Sequence, residues 1–260
     1  MRPFSRQALV TLSLFAASLL SVAAADQNAD QILRQMSSTL AAAQTFRFEA
    51  TREIDAALLP GLGLPGKTRI AALVQRPNKF SAVAVGQAGE RRFIANGQTL
   101  TLFESKGNFF TTVPMPKTID ALVEELDAKY GFVPPLMDFA VSDPYQEFRR
   151  QSQSITHLGR VKIGGGFLGL GAVECDQLLL KGPVASAELW IGVSDHLPRK
   201  MVATFHRTGQ PQLRIEFLKW YLAAQATAAD FSFAPPKGAQ KIEMWTTDRM
   251  DSALKGTKKP

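Results

Sequence analysis

One cysteine, Cys175, stands in 260 residues. A single thiol makes no disulfide within the chain, so any fold must rest on its core. Cys175 lies in an alternating, strand-like run and reads as a small buried hydrophobe. Histidine is nearly as scarce: His157, His196 and His206 are the whole supply. They sit in separate segments, with no metal-ligand spacing and no arrangement that would activate the thiol. Paired acids such as Glu124 and Glu125 read as solvated helix positions, and nothing singles out two carboxylates for acid–base work. The chain is therefore read as a non-enzyme without metal or other cofactor. Beyond its first residues it has no apolar run near the ~18–20 residues of a membrane span, so stable membrane insertion is not expected. A formal charge of +7 is spread thinly, apart from Arg91-Arg92, Arg149-Arg150 and the Lys255–Lys259 tail. No basic stripe interleaved with aromatics emerges, which argues against nucleic acid as a partner.

What is present begins with an export signal. Arg2 and Arg6 precede an apolar run from Ala8 to Leu20, which ends at Ala23-Ala24-Ala25. A charged start, a short apolar core and a small-residue end predict a secretory signal peptide over 1–25, cleaved before Asp26. No cysteine stands next to that point to carry a lipid. The expected product is a periplasmic protein with one domain over 26–249 and a charged, flexible tail over 250–260.

Two kinds of periodicity run through that domain. Helical spacing is seen over Asp26–Ala43, where Ile32, Leu33, Met36 and Leu40 share a face. It returns over Ile119–Tyr130, with Thr118 as N-cap and Gly131 as stop. A third, short helix starts at Asp143-Pro144 and runs to Gln151. Elsewhere the period is two. Phe46, Phe48 and Ala50 alternate with Arg47, Glu49 and Thr51. Similar runs occur at Thr68–Gln75, Lys79–Val85, Glu90–Ala95, Thr99–Glu104, Asn108–Val113, Ile155–Ile163, Ala172–Leu180, Ala185–Gly192, Lys200–His206 and Leu213–Ala223. Some ten strands at short spacing with three helices predict an antiparallel sheet or open barrel.

Two motifs mislead. The stretch 61–68 matches the Walker A letters, but no buried strand precedes it and Arg76-Pro77 breaks the run after it. A hairpin loop is expected, not a nucleotide site. Gly164–Gly169 contains GxGxxG, yet Ala172–Leu180 alternates like a strand, leaving no helix N-terminus for a pyrophosphate. It reads as an apolar hairpin with Phe167, Leu168 and Leu170 at its tip, a candidate contact for a partner or a lipid.

Several segments carry a resemblance. Arg76-Pro77-Asn78-Lys79-Phe80, Glu188-Leu189-Trp190-Ile191 with Leu197-Pro198-Arg199-Lys200, and Phe231 through Ala239 resemble blocks of the periplasmic lipoprotein carrier LolA and its relatives. Asn96–Leu102, Thr112–Asp120 and the run from Lys129 to Asp138 are similar to the DUF2092 family of predicted exported proteins. The resemblance covers roughly residues 28–245. It implies an α+β fold: an incomplete antiparallel β-barrel, a LolA-like half-barrel, with helices packed over the open side above an apolar cavity.

The expected function is to bind or carry a lipid, acyl chain or other hydrophobic group. Burial contributes ~0.8 kcal/mol per CH₂, so such binding needs only a dry slot. The expected walls are Phe46, Phe48, Phe80, Phe93, Leu102 and Trp190, and the expected lid is Leu122, Leu126, Phe132, Leu136 and Phe139. The alternative is an envelope protein-interaction or sensor module of the same fold.

Overall fold

A computed structural model describes residues 29–58, 66–165, 171–249 and 252. The expected signal peptide, the first part of the Walker-like stretch, the tip of the glycine-rich hairpin and most of the tail lie outside these.

Helix α1 occupies 29–42 and buries Ile32, Leu33, Met36 and Leu40, the stripe its spacing dictates. Six strands come next as a meander: β1 (Thr45–Ile54), β2 (Gly66–Gln75), β3 (Lys79–Gly86), β4 (Gly89–Asn96), β5 (Thr99–Glu104) and β6 (Phe109–Pro114). Then come α2 (Ile119–Tyr130), a 3-10 turn at Met137–Phe139 and α3 (Pro144–Gln151). A second meander runs through β7 (Ser154–Ile163), β8 (Val173–Lys181), β9 (Ala185–Gly192), β10 (Pro198–Phe205) and β11 (Gln212–Tyr221). A two-residue strand, β12 (Gln240–Lys241), closes the order.

All twelve strands form one sheet in the order β12-β6-β5-β4-β3-β2-β1-β11-β10-β9-β8-β7. Pairing is antiparallel throughout, except for β12 beside β6. Among the described residues, the two meanders are joined by strand pairing where β1 lies beside β11. The sheet curves without closing, and the helices lie over its concave side. This is the expected α+β half-barrel. The short β12 was not expected. It forms because the Asn108 carbonyl accepts from Gln240 N and Phe110 O from Ile242 N.

Caps set the helix ends. Thr118 Oγ1 accepts from Ala121 N at 3.2 Å, and Gly131, with φ 64°, closes α2 by donating to Asp127 O. A side chain there would be held in the left-handed region, so glycine suits the position. Asp143 caps α3, whose first helical residue is Pro144. Lys67 and Thr68, the last two Walker letters, lie inside β2. A strand stands after that loop where a phosphate site needs a helix.

The C-terminal segment packs on the convex side. Phe231 is buried there, and the Phe233 ring lies 5.7 Å from Phe103 and 5.4 Å from Phe110.

Candidate functional site

Register lays the concave face out in rows. Phe46, Val74, Phe80, Ala95, Leu100 and Val113 are successive cross-strand partners from β1 to β6. Two residues along each strand the row reads Phe48, Ala72, Ala82, Phe93, Leu102 and Thr111. The third row is Ala50, Ile70, Ala84, Arg91 and Glu104. In the fourth, Arg52 stands between Thr68 and Ile215. Side chains two apart share a face, so one surface grades from aromatic, through small apolar, to basic.

The helices cover the apolar end. Ile119, Leu122, Val123 and Leu126 of α2 join Leu136, Met137 and Phe139 in the same core cluster as Phe46, Phe48, Phe80 and Phe93. Leu102 and Phe132 pack against it, partly buried. Five of the six expected wall residues thus share a face with the expected lid residues packed over it. The two sets touch: Leu122 and Leu126 are 1% exposed and Phe139 0%. Phe139 also stacks edge-on against Phe217 at 4.9 Å.

Trp190 does not belong with them. Its neighbours Leu189 and Ile191 point into the core cluster, so the pleat turns Trp190 to the convex face. There the Lys200 ammonium sits 4.9 Å from its ring.

Polar contacts pin the lid at its ends. Ile119 N donates to Pro77 O at 2.9 Å. Asp120 Oδ1 accepts from Ser142 N and Oγ at 2.9 and 2.6 Å. Thr247 Oγ1 donates to Lys129 O at 3.3 Å. Between these points α2 faces the sheet with apolar side chains alone.

Arg76 performs a similar task for α1. Its guanidinium donates to Ala43 O, Ala140 O and Leu40 O at 3.3, 2.8 and 3.5 Å. A cation suits carbonyls at a helix C-terminus, where the dipole is negative; Leu40 O also accepts from Ala43 N at 3.3 Å. Burial lowers the Arg76 pKa, with Asp120 acting against it.

Arg52 is the contrasting case. Its Nε is buried and has no hydrogen-bond partner. Burial, then the charge of Arg91, depresses its pKa.

A second feature lies behind the lid. A cleft of about 490 Å³ opens between α2, the chain after it and α3, lined by Val123, Glu124, Asp127, Asp138, Glu147 and Arg150 among others. Its lining mixes the apolar Val123 and Val133 with charged side chains, so it is not the apolar slot expected from sequence. Burial, reinforced by Glu147, pushes the Asp138 carboxyl up to about 6; its own backbone and Arg150 pull the other way. Arg150 is paired with Glu147 at 2.5 Å. Among the described residues no group of three or more His, Cys, Asp or Glu is placed to hold a metal.

Residues 29–245 match the model of the family described as "Predicted periplasmic protein (DUF2092)". The chain belongs to the DUF2092 family. No curated protein matches its sequence. Among solved structures, the DUF2092 chain is similar to an uncharacterized conserved protein from Thermus thermophilus. That pair has TM-score 0.50 and 12% identity, over 83% of this chain and 98% of the other. It is also similar to a LolA superfamily protein from Nitrosomonas europaea, with TM-score 0.38 and 12% identity, over 79% and 97%. A third is the MucA/MucB complex of Pseudomonas aeruginosa, with TM-score 0.42 and 12% identity, over 79% of this chain and 61% of that one. No described helix is long and apolar enough to cross a membrane.

Proposed function

We propose that this protein is a non-enzymatic periplasmic binding or carrier protein for a lipid, acyl chain or other hydrophobic group. The observation that supports this is the joint between lid and sheet. Among the described residues it is apolar through its middle and held by hydrogen bonds at its rim. Such a joint parts without leaving a buried polar group unpaired, and an acyl chain replaces lid side chains with equivalent contacts. In this reading Gly131 and the Pro134-Pro135 pair form the hinge. Phe46, Phe48, Phe80, Phe93 and Leu102 form the wall that a ligand meets.

The test is binding of a fluorescent fatty acid to protein stripped of lipid, alongside native mass spectrometry of protein taken from its own periplasm. Saturable binding and a co-purifying apolar mass are expected. A protein that takes up no hydrophobic probe and carries no such mass is not a carrier.

The second reading, an envelope interaction module, has one observation in its favour. β7 ends the sheet, and no described strand pairs with its outer edge. An extended peptide can add to such an edge. A bulge between His157 and Gly159, together with exposed Arg160 and Lys162, weakens that surface as a general pairing site. Deleting residues 164–171 separates the two readings. Lost partner capture with lipid binding intact favours the module.

A further inference from the structure

We propose that Arg52, supported by Arg91, binds the acidic head of a ligand whose apolar part lies on the concave face. The proposal rests on the reading of that face as a ligand surface.

Position is the first argument. Arg52 continues the series Phe46, Phe48, Ala50 on the inner face, two residues beyond the last apolar row. Its cross-strand partner Ile215 is 2% exposed and belongs to the core. The guanidinium therefore starts where the apolar floor stops.

The second argument is that, among the described residues, no counter-charge is paired with Arg52. The Nε is buried without a hydrogen-bond partner, and the charge that acts on the group is that of another arginine, Arg91. Nearby carboxylates are committed. Asp55 accepts from Gln212 N at 2.7 Å and pairs with Arg214 at 3.6 Å. Glu104, directly across from Arg91, accepts from the amides of Lys106 and Gly107, both at 2.8 Å. A buried cation without a partner is costly, and an incoming anion removes that cost. Arg76 shows what this chain does with a purely structural buried arginine, which is to surround it with carbonyls.

The third argument is geometric fit. A guanidinium offers a planar fork of donors, which matches a carboxylate or phosphate. Fatty acids, acidic phospholipids and free oxyanions share that chemistry. The neighbouring rows favour the amphiphiles.

The experiment uses full-length protein freed of lipid on a hydrophobic resin. Binding of a pyrene-labelled long-chain fatty acid, of its methyl ester and of inorganic phosphate is measured for wild type, Arg52→Met and Arg52→Lys. The wild type should bind the acid more tightly than the ester. Arg52→Met should weaken the acid by about tenfold or more and leave the ester unchanged, the scale of one charge-assisted hydrogen bond. Arg52→Lys should lie between. Thermal melting checks folding, and Arg52→Met should melt no lower than wild type because it removes a half-buried cation whose Nε has no hydrogen-bond partner.

Acid and ester bound alike, or an acid affinity unmoved by Arg52→Met, overturns the proposal while leaving the hydrophobic carrier intact. Phosphate bound in an Arg52-dependent way, with neither acid nor ester bound, supports the anion site with a free oxyanion as its source and refutes the carrier. If none of the three binds, both fail.

Discussion

Asp138 is a residue whose charge state bears on the stability of the fold. Its carboxyl, up at about 6, ionises later in the folded chain than at the ordinary value of 3.8. From about pH 4 to 6 the folded state keeps a proton that the unfolded state has released, so stability falls as pH rises through that window and levels off above it. The full loss is on the order of 3 kcal/mol. Urea unfolding of wild type and Asp138→Asn between pH 4 and 8 should show the two curves separating over this range, with the variant more stable at pH 7. Parallel curves would show that Asp138 is not held protonated. Asp30, Glu49 and Asp230, whose pKa values are lowered, act in the opposite sense but equally in both proteins. Leu126 tests the packing. Leu126→Ala should cost in the upper part of the ~2–5 kcal/mol range for a filled core, because the side chain is sealed on every side. A loss near the bottom would reveal empty space beneath the lid. Sequence showed the inner face of β1 as far as Ala50, and the alternation needed only one more step to reach Arg52. It misplaced Trp190 because Leu189, Trp190 and Ile191 are all apolar, and period two cannot assign faces in such a run. Asp138 was hidden because a half-buried acid in a 3-10 turn has no sequence signature.

At the scale of elements, the helices were legible because their ends are written in side chains. Thr118, Gly131 and Asp143-Pro144 act through local hydrogen bonds and backbone angles, which need no knowledge of the fold. Strand ends drifted by a residue or two, since the pleat continues into the turns. β12 was invisible: Gln240 and Lys241 carry no apolar pattern, and the strand exists only because β6 is there to receive it. The attachment of α1 was equally hidden, since it depends on Arg76 meeting carbonyls from two distant segments. Arg76→Met should strip those carbonyls of their donor. The expected cost is above about 2 kcal/mol, the range for bonds to a charged group. Amides of 29–42 should also exchange faster than those of β2. Uniform loss of protection across the whole chain, with no excess in α1, would show that Arg76 is not a local clamp.

For the whole molecule, counting alternating runs gave an antiparallel sheet or open barrel and the LolA-like resemblance implied the half-barrel, whereas the strand order could not be counted. Each meander pairs neighbours in sequence, which local turns enforce. The seam between β1 and β11 joins the beginning of the fold to its end, and no local signal announces it. That seam has a kinetic meaning. The pairs within β1–β6 and within β7–β11 close short loops and need no distant partner. The step that joins them must bring remote parts of the chain together before any reward is collected, and such closures are slow. A chain synthesised from its N-terminus therefore holds β1 half-paired until residues near 221 have been made. The curved face that would receive a ligand in the proposed reading is complete only after β11 docks.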